Sequence, residues 1–96
     1  MKVIAHFAEA RQELRHAIAL SPDPVAFRQD VDQALQAIAS GLIAHARIPR
    51  SPCRECGLTR LPYSIIYTET PDEIRVVAFA HHKRKRGYWK TRLRRP

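Results

Sequence analysis

The chain predicts an α+β fold, in which an N-terminal helical hairpin packs on a small antiparallel β-sheet and a short basic helix or tail follows. Three observations carry that expectation. Apolar residues recur at helical spacing over the first 42 residues, the second half alternates at period two, and cations crowd at the far end. The period changes near residue 57, and 96 residues suffice for one domain, 1–96, and no second. A chain this short buries only about 60–65% of its unfolded surface, so a thin core is expected.

Residues 2–6 read as a short strand. Phe7, Ala10, Leu14, Ala17 and Ile18 then mark one face of a helix over 8–20. Ser21-Pro22-Asp23-Pro24 stops that helix and starts the next, because Asp23 is an N-cap residue and Pro24 suits the first helical position. The second helix carries Phe27, Val31, Leu35, Ile38 and Leu42 on its apolar stripe, and Gly41 is placed to close it. Residues 45–57 form a loop holding Pro49, Pro52, Cys53 and Cys56. A short strand is expected at Gly57–Leu61, a β-branched and aromatic strand at Tyr63–Thr68, a turn at Thr70–Glu73 and a strand at Ile74–Ala80. Strict alternation puts Ile74, Val76, Ala78 and Ala80 on one face, and Arg75, Val77, Phe79 and His81 on the other.

Seventeen Lys and Arg stand against nine Asp and Glu, a net charge of +8, and eight of the seventeen lie between Lys83 and Arg95. A charge so concentrated speaks for an anionic partner; a merely solubilising surface would spread its cations and mix the signs. No apolar stretch approaches the roughly 20 residues of a membrane span, and His6, Glu9, Arg11 and Glu13 interrupt any secretory signal, so a cytoplasmic protein is expected. Cys53 and Cys56 form a single Cys-x-x-Cys. It is half of a zinc site at most, and His45, His81 and His82 complete no known ligand spacing, so two ordinary loop thiols and no metal are expected. Nothing calls for a cofactor.

The stretches Arg60-Leu-Pro-Tyr-Ser-Ile-Ile-Tyr67, Asp72-Glu-Ile-Arg-Val-Val-Ala-Phe-Ala-His81 and Gly87-Tyr-Trp-Lys-Thr-Arg92, with Arg84 between, resemble the ParE/RelE toxin superfamily. The likeness is loosest in the first half, through His6-Phe-Ala8, Glu13-Leu14 and the apolar stripe of the second helix. Leu61 replaces a usual Phe, Arg86 replaces a usual Pro, and the paired tyrosines near the end of the first helix are absent. The resemblance implies the toxin of a bacterial type II toxin–antitoxin module, a growth inhibitor of the plasmid-stabilisation kind. It also implies a cognate acidic antitoxin that folds onto the toxin.

The resemblance implies two activities that differ in kind. ParE-like members bind and poison DNA gyrase, whereas RelE-like members cut mRNA on the ribosome. An RNase that drives a 2′-hydroxyl onto the adjacent phosphate needs a base, an acid and cations. His81, Tyr88, Arg92 and Arg60 are the candidates for those roles, with Arg75 and Arg84 as further cations. The ordering His81…Arg84…Gly87-Tyr88-Trp89…Arg92 fits the gyrase-binding branch better, with His82, Lys83, Arg84, Lys85, Arg86 and Arg92 as target contacts. In that reading Trp89 packs on the sheet, His81 makes an ordering hydrogen bond, and Arg92 bridges back to a strand carboxylate or carbonyl. A third reading, a non-catalytic basic nucleic-acid-binding module, explains the charge but not the Pro-Tyr and Tyr-Trp framework.

Overall fold

The computed structural model describes residues 1–94, so Arg95 of the basic segment lies outside the described residues. Strand β1 (Val3–His6) leads into helices α1 (Ala8–Leu20) and α2 (Pro24–Ser40). Strands β2 (Arg54–Gly57), β3 (Tyr63–Glu69) and β4 (Glu73–His81) follow, and a 3-10 helix spans Tyr88–Arg94. Asp23 caps α2 by accepting from the Ala26 N–H at 3.1 Å, and Pro24 occupies the first turn. Gly41, at φ 75°, ends the helix in a left-handed conformation that a side chain would strain. The helix therefore stops before Leu42, which leaves the apolar stripe and is 85% exposed.

The four strands run β1-β4-β3-β2. The α+β class is as expected, and β2–β3 and β3–β4 are antiparallel. β1, however, joins as a parallel edge strand on β4, pairing Val3 with Glu73 and His6 with Val76. The strand next in sequence, β2, lies at the far edge of the sheet: the hairpin of α1 and α2 carries the chain across to it, and the β2–β3–β4 meander then returns β4 to the side of β1.

A second departure lies in β2, which forms at 54–57 rather than 57–61. Pro62 and the bends before it follow the strand, while the segment 46–48 pairs with its outer edge through Ile48 N–H to Cys53 O and Glu55 N–H to Ala46 O. Cys56 is consequently a strand residue, while Cys53 stands in the connection just before β2. Both are buried, and three positions apart in extended chain they enter different layers. Cys56 joins the core between sheet and helices with Phe27, Val31, Leu35, Ile65 and Tyr67. Cys53 joins a second cluster on the other face with Ile66, Val77, Ala78 and Trp89. Burial pushes both thiol pKa values up. Among the described residues no three His, Cys, Asp or Glu converge as metal ligands, and no helix is long and apolar enough to cross a membrane.

The alternation expected along β4 breaks at a bulge. Ile66 pairs with Ala78 but its neighbour Tyr67 pairs with Val76, leaving Val77 without an opposite residue. Val76 and Phe79 thus share the helix side, while Val77, Ala78 and Ala80 turn to the other face. On the helix side Phe79 stacks on Tyr63 at 4.7 Å between ring centroids, and Phe27 meets Tyr63 edge-on at 5.6 Å.

A clasped basic segment as the candidate functional site

β1 ends at His6, and its last bond to β4 runs from the Phe7 N–H to the Val76 carbonyl. Beyond that point no strand of the described residues pairs with β4 on this side, and the Val77 carbonyl and the Phe79 N–H at the bulge face the gap. Side chains fill it. Arg92 Nη1 donates to the Val77 carbonyl at 2.9 Å, and Glu13 of α1 accepts from the Phe79 N–H at 3.1 Å. The two side chains also meet in a two-pronged pair, Nη1 to Oε1 at 2.9 Å and Nη2 to Oε2 at 3.0 Å. The Tyr88 hydroxyl donates to Glu13 Oε2 at 2.6 Å.

This clasp sets the local titration behaviour. Burial alone would raise the Glu13 carboxyl, but the bonds from Arg92, Tyr88 and the Phe79 N–H outweigh it and hold the pKa below its ordinary value. Burial and the hydrogen bond to Glu13 push the Tyr88 phenol up to about 12. Arg92 is raised by the same partner.

Trp89, 3% exposed, sits on Ile66, Val77 and Ala78 and fastens the 3-10 helix to the face of the sheet away from α1 and α2. Between this anchor and the end of β4 the chain makes the loop His82–Gly87. Gly87 turns at φ 75°, where a side chain would be strained and would meet the aliphatic part of Lys90 at 3.2 Å. His82, Lys83, Arg84, Lys85 and Arg86 are all exposed. Among the described residues, no carboxylate pairs with any of these four cations. Arg84 lies over the Tyr88 ring at 3.9 Å. Behind the loop the sheet floor and the 3-10 helix enclose an open cleft of about 250 Å³.

The residues singled out from sequence are divided by the fold. His82 to Arg86 form one continuous exposed segment. Arg92 is apart from it, half-buried in the clasp. Of the candidates for acid–base work, His81 packs its ring edge-on against Tyr63 at 4.8 Å and accepts from the Lys83 N–H at Nδ1. Tyr88 and Arg92 are joined through Glu13. Arg60 is not with them: it lines a separate cavity between α2 and the β2–β3 connection, beside Leu58 and Leu61. Arg75 is exposed and pairs with Glu73 at 3.0 Å. The sequence pattern gives Arg92 a carboxylate or carbonyl partner on a strand; the carbonyl is that of Val77, but the carboxylate, Glu13, comes from α1. The pairing of Glu13 has one sequence signal, an acidic residue on the apolar face beside Ala10, Leu14 and Ala17, the kind that marks a paired charge.

The sequence matches the model of the ParE toxin family, from the type II toxin–antitoxin system parDE, over residues 5–86. No curated protein matches it as a relative. Among solved structures, a chain of the chromosomal ParDE TA system from P. aeruginosa superposes with a TM-score of 0.64 at 18% identity, covering 84% of this chain and 96% of that one. A YafQ mutant from E. coli superposes with a TM-score of 0.63 at 9% identity, over 84% and 93%. At these identities the superpositions speak for the fold, whereas the family match runs from within β1 through the helical hairpin and the other three strands to Arg86 of the basic loop. This chain belongs to the ParE toxin family of type II toxin–antitoxin systems.

Proposed function

We propose that this chain is the toxin of a type II toxin–antitoxin module that arrests growth by binding and poisoning DNA gyrase, and that a cognate acidic antitoxin neutralises it. The observation that carries the reading is the division of labour in the C-terminal segment. The clasp commits Tyr88 and Arg92 to holding the fold, while Lys83, Arg84, Lys85 and Arg86 are displayed without carboxylate partners among the described residues. A phenol pushed up to about 12 and bonded to a carboxylate is a poor proton donor near neutrality, and Arg60 stands in another cavity. An exposed, unpaired cationic loop on a rigid anchor suits recognition of an acidic surface, which gains in rate and specificity from such complementarity. The same charge suits an acidic antitoxin.

The test adds purified toxin to a gyrase supercoiling reaction and, separately, to translating ribosomes. Inhibited supercoiling with intact mRNA is expected, relieved by the product of a neighbouring gene for a short acidic protein. Replacing Lys83, Arg84, Lys85 and Arg86 together by Ala should abolish toxicity and leave the fold intact, because exposed charges contribute little to stability. Codon-specific mRNA cleavage with gyrase untouched would refute the gyrase reading in favour of ribosome-dependent endoribonuclease action.

A further inference from the structure

The cleft behind the basic loop has a polar floor in an otherwise apolar layer. Ser64, on β3, is 3% exposed and is the single polar side chain among the buried residues described. Its Oγ lies 3.1 Å from His82 Nε2. The His82 backbone N–H is bonded to the Pro62 carbonyl at 2.8 Å, so the residue is fixed where its ring reaches inward across the strand ends. Arg84, Lys85, Arg86 and Lys90 stand around the opening, and among the described residues Glu55 is the one carboxylate in the lining. Ile48 and Trp89 supply apolar wall.

We propose that this cleft is a binding site for a phosphate ester of a nucleotide, either free or within a nucleic-acid backbone. The phosphate seats beside His82 under the rim cations, and the nucleoside lies towards Ile48. Four cations against one carboxylate around a partly enclosed, low-dielectric space concentrate positive potential at the floor. Guanidinium forks and ammonium groups gathered at one opening match a phosphate, whose oxygens point several ways; a planar carboxylate uses fewer of them. The His82–Ser64 pair gives the floor an imidazole that gains a second donor on protonation, with a hydroxyl beside it that can accept or donate. The proposal is independent of the gyrase reading, since it concerns the isolated chain, and either can fail without the other.

Trp89 is the only tryptophan and lines the cleft, so its fluorescence reports occupancy. The full chain is titrated with AMP, with adenosine, with a short single-stranded DNA and with an acidic peptide. Saturable change with AMP or the oligonucleotide, none with adenosine, and competition by inorganic phosphate are expected. Binding by AMP identifies free nucleotide as a sufficient source; binding by the oligonucleotide alone identifies the backbone phosphate. His82→Gln and Lys90→Gln should each weaken binding at least about tenfold, the loss of one charge-assisted bond. Glu55→Gln removes the repulsive carboxylate and should tighten binding, a gain that misfolding cannot mimic. Absence of saturable binding, equal binding of adenosine and AMP, stronger binding of the acidic peptide than of the nucleotides, or indifference to all three substitutions would overturn the proposal.

Discussion

Replacing Glu13 by Ala removes one carboxylate and strands three groups at once. Arg92, whose side chain is 12% exposed, loses its charge partner, the Phe79 N–H loses its acceptor, and the Tyr88 hydroxyl is left in a half-buried site. Removing one member of a buried ion pair costs about 3–5 kcal/mol. Arg92 keeps its bond to the Val77 carbonyl, and water reaches part of the site, so the lower end, about 3 kcal/mol, applies. Against a total stability of roughly 5–15 kcal/mol that loss is large, and it corresponds to a fall in Tm of roughly 12–24 °C for a domain of this size. The decisive comparison is Glu13→Leu with Arg92→Met, which replaces both charges by apolar volume and should recover part of the loss. Urea unfolding followed by circular dichroism gives both numbers. A cost below about 1 kcal/mol for Glu13→Ala, or a double variant as unstable as the sum of the singles, would refute the claim that the pair is coupled across the edge of β4.

The same carboxylate predicts a pH dependence. Because its folded pKa is depressed, Glu13 contributes stability above the ordinary carboxylate pKa and loses it as pH falls through the folded value; the drop in unfolding free energy between about pH 5 and pH 3 should be smaller in Glu13→Gln. Tyr88, whose pKa is raised, contributes below the ordinary phenol pKa and loses that contribution as pH rises towards about 12, so a tyrosinate absorbance titration should show a late-ionising phenol that Tyr88→Phe removes. Trp89→Ala empties a buried ring site and should cost about 3–5 kcal/mol, read as a lowered urea midpoint. Cys53 and Cys56, buried in separate layers, should resist a thiol reagent until the chain unfolds. Replacing both by Ser should destabilise by about 1–3 kcal/mol through buried hydroxyls; rapid labelling of the native protein would contradict their placement.

Much of the fold was legible because local signals agreed with one another. Asp23-Pro24 and Gly41 bracket α2 by capping chemistry alone, and Tyr63–Thr68 can scarcely be other than strand. What was illegible depended on residues far apart in the chain. The parallel pairing of β1 with β4 closes only after the chain has passed through both helices, β2 and β3, and no period reveals it. The bulge at Val77 inverts the faces of Ala78 and Phe79, yet Val-Val-Ala-Phe-Ala carries no mark of where an extra residue sits. At the site, the basic loop was read directly from its charge. The roles of Tyr88 and Arg92 turned on Glu13, 79 positions before Arg92, and only the folded chain brings them together. Ser64 looked like an unremarkable strand residue until the sheet buried it opposite His82.

The half of β4 beyond His6 is a strand with an empty neighbouring lane. Unpaired N–H and C=O groups on such a lane are a template for a strand from another molecule, and small proteins protect them by short edges, bulges or charge. Here the bulge shortens the open run and the Glu13–Arg92 pair occupies its free donor and acceptor. The clasp therefore acts as an aggregation guard as well as a tether. Acidification, or loss of either charged partner, uncovers an adhesive edge in a molecule whose secondary structure is otherwise still formed. Self-association by strand addition along β4, ahead of general unfolding, is the expected consequence.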